Sequence, residues 1–314
     1  MRIGIIGAGV CGAYLSYKLS MDHDVTVFES KSEIGNKACS GLVSERLWDF
    51  IPKNDKLIKN KMKTIKIKFK NKEVFLDMNP GMMALERAEL DKYVMSLSKA
   101  KLKLNARVTK IVPGVKPVIY TKKEKFEFDY VIGTDGAQSF TRKQLGGKDP
   151  KFNLGVLVYE KTKKKSNVIN TWPLKNGFAW EIPRGDSIEY GVFENPKVAY
   201  QEFKKFYKRK PKLIHSALIP EGLCNVVKGN ITLCGDSAGL AKPWSGGGII
   251  WALQSADILL KNFPNLHKYD KELKEFFEPR IFFSKIISKT GVWFGNNLPF
   301  LIPKEFYFDS DWIF

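Results

Sequence analysis

Cysteine is scarce in this chain, and so is histidine. Four cysteines (Cys11, Cys39, Cys224, Cys234) stand among 314 residues with no C-x-x-C pair. That excludes a zinc ribbon, a thioredoxin-like redox pair and a disulfide-stapled scaffold, and a reduced cytoplasmic setting is expected. His23, His215 and His267 share no metal-ligand spacing, so no metal is expected. No run of about 18 apolar residues exists for a membrane span. The apolar stretch Ile3 to Val10 is short and broken by glycine, unlike a cleaved signal. Internal repeats and low-complexity segments are also lacking. Arginine is rare, with eight residues against 44 lysines, and lysine is the weaker choice for bidentate recognition of phosphate or bases.

What is present is a basic chain of globular composition. Lys+Arg 52 against Asp+Glu 33 gives a net charge of +19, with 44% hydrophobic and 27% charged residues. Disorder is excluded, and the length supports two domains or one large α/β unit. The positive balance has three readings: an anionic membrane surface, nucleic acid, or a lysine-rich genome.

The opening predicts a βαβ unit. Arg2 to Ile6 reads as a strand, Gly7 to Gly12 as a glycine turn, Ala13 to Leu19 as a helix, and Asp24 to Phe28 as a second strand ending at Glu29. Over Thr64 to Lys70, Ile65, Ile67 and Phe69 alternate with lysines, predicting a half-buried strand with a cationic outer face. Asn71 and Lys72 turn into a strand over Glu73 to Leu76. Helices are predicted over Glu86 to Leu97, Lys197 to Arg209 and Ile249 to Lys261. Leu102 to Val112, Val118 to Phe128, Val131 to Gly133 and Asn230 to Cys234 read as strands. Phe152 to Phe193 reads as short alternating strands of a separate, inserted sheet. The tail from Phe276 is expected to be helical, then irregular.

Gly7-Ala8-Gly9-Val10-Cys11-Gly12 is G-x-G-x-x-G between a strand and a helix. Gly7 permits the turn, Gly9 lets backbone approach a pyrophosphate, and Gly12 allows close helix packing, with the phosphates at the helix N-terminus. Glu29, 22 residues after Gly7, is placed for a ribose diol and would repel a 2′-phosphate. FAD and NAD therefore fit this site better than NADP. A second set follows: Arg87-x-x-x-Asp91, Asp135-Gly136, Gly235-Asp236 after a buried strand, and Gly246-Gly247-Gly248 opening a helix.

In this order the pieces resemble the FAD monooxygenase and reductase superfamily of the p-hydroxybenzoate hydroxylase type. The resemblance implies an α/β fold with a Rossmann-like FAD-binding domain, an inserted antiparallel-sheet substrate domain and a helical C-terminal segment. The expected division is 1–62, 85–150 and 225–265 for FAD, 63–84 and 151–224 for substrate, and 266–314 as an aromatic cap. It implies that Asp236 meets the ribityl-pyrophosphate region and that the glycine-rich helix start faces the flavin pyrimidine. Gly7, Gly9, Gly12, Glu29, Arg87, Asp135, Gly235, Asp236, Gly246, Gly247 and Gly248 are the expected cofactor residues.

Two further stretches narrow the likeness. Lys37-Ala38-Cys39-Ser40-Gly41-Leu42 resembles the cysteine-glycine loop of the geranylgeranyl reductase family. Phe178-Ala179-Trp180-Glu181-Ile182-Pro183-Arg184-Gly185 is similar to its Tyr-x-Trp-x-Phe-Pro substrate motif, with Phe178 and Ile182 as departures that make the pocket more apolar. The chain is shorter at its C-terminus than that family's usual length. The resemblance implies a flavin reductase that saturates isoprenoid C=C bonds, archaeal in type, with Phe178, Trp180 and Pro183 at the substrate. Reduction of an unactivated alkene needs a hydride and a proton, and Cys39 is the candidate for proton relay or for shaping the site. Its other reading is a small buried hydrophobe.

Two alternatives stay open. One is an FAD monooxygenase acting on an aromatic or polyene; the other is a basic RNA-binding flavoprotein. Nucleic acid is the less favoured partner, because aromatic residues are poorly interleaved with the lysine clusters. The electron donor is expected to be NADPH, ferredoxin or a deazaflavin. A prenyl lipid substrate further implies peripheral contact with an anionic membrane. The aromatic tail supplies Phe282, Phe283, Trp293, Phe294, Phe300, Leu301, Phe306, Tyr307, Phe308 and Trp312, with Lys285, Lys289 and Lys304 among them. Phe276 to Trp293 is expected to close the core, and Phe300 to Phe314 to meet the membrane.

Overall fold

The computed structural model describes residues 1–35, 37–224 and 227–311; Trp312 of the aromatic tail lies outside the described residues. Its centre is a six-stranded sheet ordered Val227–Lys228, Ile231–Leu233, Tyr130–Gly133, Arg2–Ile6, Asp24–Phe28 and Lys101–Lys103. All pairings are parallel except the one with the two-residue edge strand. These strands are almost wholly apolar because helices cover one face and a small second sheet the other. Ile6 is level with both Phe28 and Gly133, and Gly133 with Leu233. The four carboxyl ends therefore deliver Gly7, Glu29, Thr134 and Cys234 to one edge, where open parallel sheets bind ligands.

Helices Val10–Leu19, Arg87–Ser96 and Ile249–Asn262 form the main core with the long helix Leu266–Asn297. Trp251 and Tyr269 are fully buried there, and the Tyr269 hydroxyl donates to the Leu233 carbonyl at 2.9 Å. This bond ties the long helix to the strand that precedes Gly235.

A nine-stranded sheet holds the rest. Its path runs His215–Glu221, Lys151–Lys161, Ser187–Glu194, Phe178–Pro183, Val168–Pro173, Ile58–Lys68, Glu73–Leu85 and Glu305–Phe308, with Leu42–Ser44 paired on Glu73–Leu85. Most contacts are antiparallel; Val168–Thr171 beside Thr64–Ile67, and Glu305–Phe308 beside Phe75–Met78, are parallel.

The structure departs from the sequence expectations in four places. Leu102 to Val112 is not one strand: Asn105, at φ 52, breaks it. Lys101–Lys103 joins the main sheet and Val108–Val112 the small one. Val118 to Phe128 is a hairpin of Val118–Thr121 and Lys125–Glu127 rather than a continuous strand. The tail after the long helix is not irregular throughout, since Glu305–Phe308 is a strand. Nor does Phe276 to Trp293 close the core as a whole. Phe277 and Ile281 are buried, whereas Phe282, Phe283, Ile286, Ile287 and Trp293 are exposed.

Candidate active site

The carboxyl edge of the parallel sheet opens into a cavity of about 2080 Å³ that extends over the face of the nine-stranded sheet. At the end nearest the parallel sheet the glycine turn is shaped by contact. Gly7 has φ 104, and a Cβ on Gly12 would lie 2.0 Å from the Gly7 carbonyl oxygen and 2.5 Å from Thr134 Oγ1. Only glycine at position 12 allows the helix this close to the turn. Gly9 differs: its Cβ direction meets nothing within 4 Å. The helix that follows has no side-chain cap and no acidic residue in its first turn, so its first N–H groups are available to an anion.

Glu29 is fixed beside that turn. One carboxylate oxygen accepts from Ala8 N at 3.1 Å, the other from Lys31 N at 3.0 Å and Ser30 Oγ at 3.2 Å. Asp236 lines the same cavity, and Gly246 to Gly248 lead into the helix Ile249–Asn262, which also lacks a side-chain cap and whose Ala252 carbonyl lies 3.7 Å from Cys11 Sγ in the first turn of the other helix. Two helix N-termini thus face one space. Arg87 is buried, with Nε donating to Asp91 Oδ1 at 2.8 Å and Nη1 to Cys39 Sγ at 3.6 Å. Cys39 borders the cavity and its sulfur also accepts from Gly41 N at 3.5 Å.

The structure therefore gathers Gly7, Gly9, Glu29, Cys39, Arg87, Asp135, Asp236, Gly246, Gly247 and Gly248 on one wall system, with Phe178 and Trp180 further along it. Three expected residues stand elsewhere. Gly12 and Gly235 lie behind the wall; the second, at φ 68, packs its backbone against Cys11 and Ala252. Pro183 is buried in the sheet, and its carbonyl accepts from Asn60 Nδ2 at 3.0 Å instead of facing the cavity. Asp135 borders the cavity, but its carboxylate is occupied. It accepts from Ser139 Oγ at 2.5 Å, Thr141 N at 2.8 Å and Thr141 Oγ1 at 3.0 Å. Burial pushes its pKa up against those bonds, so Asp135 builds the turn and leaves ligand contact to backbone.

Sequence patterns missed three charged groups. Lys37 Nζ reaches Asp236 Oδ2 at 2.7 Å, and the pair stands in the cavity wall. Lys242, buried next to the glycine-rich loop, donates to Ser310 O at 2.8 Å and Asp311 Oδ1 at 2.9 Å. The third is Glu189, fully buried behind Trp180. Trp180 Nε1 donates to its Oε1 at 2.7 Å, and Arg184 Nη1 lies 3.4 Å from its Oε2. Arg184 also donates to the carbonyls of Ser40 and Leu85 and lies over the Tyr159 ring, whose hydroxyl donates to the Cys39 carbonyl at 3.2 Å. The Cys39 loop is thereby tied to the sheet through one buried ion pair. The only available signal was the alternation of the strand Ser187–Glu194, which puts an acid on its buried face.

Burial raises the Glu189 pKa to about 7, with Arg184 opposing the shift. Between the ordinary glutamate value and about 7, the folded state holds a proton that the unfolded chain has released. Stability therefore falls as pH rises through that window. Glu189→Gln is expected to remove this slope, so that its stability relative to wild type improves by about 3 kcal/mol from pH 4 to pH 8. Loss of the Arg184 partner adds a cost at every pH. Urea midpoints across that range measure the difference; parallel curves for both proteins would refute it.

The fold and this edge define a class: a Rossmann-like dinucleotide-binding fold joined to a large, mostly antiparallel sheet. Residues 5–48 match the model of an NAD(P)-binding Rossmann-like domain. Solved structures of differently named proteins share this fold, among them a flavin-dependent halogenase, CmlS, with a TM-score of 0.70 at 16% identity, covering 88% of this chain and 62% of that one. A geranylgeranyl bacteriochlorophyll reductase-like protein from Thermoplasma acidophilum superposes with a TM-score of 0.80 at 17% identity, covering 92% of this chain and 86% of that one. Digeranylgeranylglycerophospholipid reductase 1 of Methanosphaera stadtmanae is 24% identical over 87% of this chain and 78% of its own length. An uncharacterized protein of Methanocaldococcus jannaschii is 26% identical, over 93% and 84%. Among the described residues no helix is long and apolar enough to cross a membrane.

Proposed function

We propose that the protein is an FAD-dependent reductase that saturates isoprenoid double bonds of a prenyl lipid or its precursor. The observation that carries this reading is the cavity itself. It is about twice the upper end of ordinary ligand sites, and it joins a dinucleotide edge to an apolar sheet face formed by Ile65, Ile67, Leu157, Ile169, Phe178 and Trp180. The strand predicted to carry half-buried isoleucines spends them on this wall. Its lysines sit instead against aromatic rings, Lys66 over Phe75 and Lys68 over Trp172.

The residues fit a dinucleotide. Gly9 leaves open space at an uncapped helix N-terminus, Glu29 is positioned for a ribose diol, and the second helix start lines the same cavity. FAD is favoured over NAD because Asp236 and Gly246 to Gly248 provide a second set of contacts beyond the first nucleotide half. A bound reduced flavin supplies hydride to one alkene carbon. This chain's residues do the rest: the apolar wall orients the alkene and keeps water out, and Cys39, at the cavity border, would deliver the proton to the other carbon. NADPH, ferredoxin or a deazaflavin re-reduces the cofactor.

The test is anaerobic. Chemically reduced protein is mixed with detergent-dispersed geranylgeranyl lipid, and products are read by mass spectrometry. Gain of two hydrogens per double bond is expected. A product that carries oxygen and forms only in air would replace this reading with a monooxygenase.

A further inference from the structure

The long helix Leu266–Asn297 changes character at Pro279. Before it, Tyr269, Leu273 and Phe277 are buried in the core. After it, at 100° per residue, Phe282, Phe283, Ile286, Ile287, Trp293 and Phe294 fall in a stripe roughly 140° wide. All six are exposed, Phe282 by 60% and Trp293 by 54%. Ile281, Ser284 and Gly295 take the opposite, buried side, where a Cβ on Gly295 would lie 2.0 Å from the Phe69 ring. Phe300, 76% exposed, and Leu301 add to the apolar surface beyond the helix end. An exposed apolar surface of this kind marks an interaction site.

Two observations say what covers it. The first is charge. From Pro279 to Lys304 the sequence contains no Asp or Glu, while Arg280, Lys285, Lys289 and Lys304 are cations. Lys289 falls about 20° from Phe282 on the helical wheel, at the edge of the stripe; Lys285, beyond it, is 3.1 Å from Glu221 Oε1. The second is continuity. Ile287, Trp293, Phe294 and Leu301 are both exposed and part of the cavity wall, so the apolar stripe is the rim of the cavity. An apolar stripe edged by cations is the pattern of a helix lying in a lipid interface. A protein seated on this rim would cover the mouth, whereas a bilayer would present acyl or prenyl chains to it.

We propose that the helix face from Phe282 to Phe294, with Phe300 and Leu301, docks the protein on an anionic lipid bilayer with the cavity mouth toward the membrane. The proposal rests on the prenyl-lipid reading for what passes through the mouth. Its test contains neither prenyl substrate nor reductant, so docking and the reductase activity fail or stand separately.

Full-length protein is co-sedimented with vesicles containing phosphatidylglycerol or with pure phosphatidylcholine, at low and high salt. Wild type is expected to pellet with the anionic vesicles, less so in high salt. The triple variant Phe282→Ser/Phe283→Ser/Ile286→Ser alters only exposed positions and is expected to partition at least tenfold more weakly. A blue shift of indole emission on vesicle addition that is absent from Trp293→Phe supports the same face without relying on the triple variant. Wild type that stays in solution, a triple variant that pellets as wild type does, or equal binding to neutral vesicles would overturn the proposal. So would a salt-dependent shift with transfer RNA and none with vesicles.

Discussion

Gly9→Val is expected to give a folded protein that has lost its dinucleotide, with affinity lowered at least ~100-fold, about 2.7 kcal/mol. The Cβ direction at Gly9 is open, and its backbone, at φ −70 and ψ 175, suits a β-branched residue. The isopropyl group therefore strains nothing in the protein and fills the space at the helix N-terminus that a pyrophosphate needs. Gly12→Ala is the contrasting case. Its methyl would meet the Gly7 carbonyl, so this variant is expected to lose stability by about 3 kcal/mol or fail to fold. Heat-released cofactor, identified by absorbance and mass, reports the first effect; circular dichroism melts report the second. A Gly9→Val protein as yellow as wild type would sink the cofactor assignment.

Cys39→Ser is expected to retain flavin, yet reduce the alkene roughly 10²–10³-fold more slowly, the ordinary weight of a positioned general acid. Serine keeps the size and the bonds offered by Gly41 N, but its hydroxyl is a far poorer proton donor than a thiol. Arg87 Nη1, 3.6 Å from the sulfur, and the Gly41 N–H fix the position of the sulfur at the cavity wall. The two half-reactions separate the possibilities. Flavin reduction should proceed at the wild-type rate while transfer to substrate slows. Unchanged transfer would leave Cys39 with a packing role only.

The two variants probe different kinds of information. Gly9 was recognisable from its neighbours in the chain, because a strand, a glycine turn and a helix are local structures whose spacing carries the geometry. Glu29 was legible for the same reason, being the end of the very next strand. Cys39 was singled out by its loop motif, but its setting was not legible: Arg87 is 48 residues away and Tyr159 120. Asp135 shows the limit even within a motif. Ser139 and Thr141 lie only four and six residues on, yet that they would take up its carboxylate follows from how the chain turns, not from the pattern Asp-Gly.

The sequence by itself therefore determined the dinucleotide edge and the class of fold, because hydrophobic period and glycine placement encode strand, turn and helix over short distances. Tertiary structure alone decided the rest. It turned Ile65 and Ile67 toward a cavity, seated Glu189 behind Trp180, closed Lys37 on Asp236 and Lys242 on Asp311, and left the outer face of the long helix uncovered. Each of these depends on which distant segments meet. A buried charge is tolerable only where a partner from elsewhere in the chain reaches it, and an apolar face is core or surface according to what packs on it.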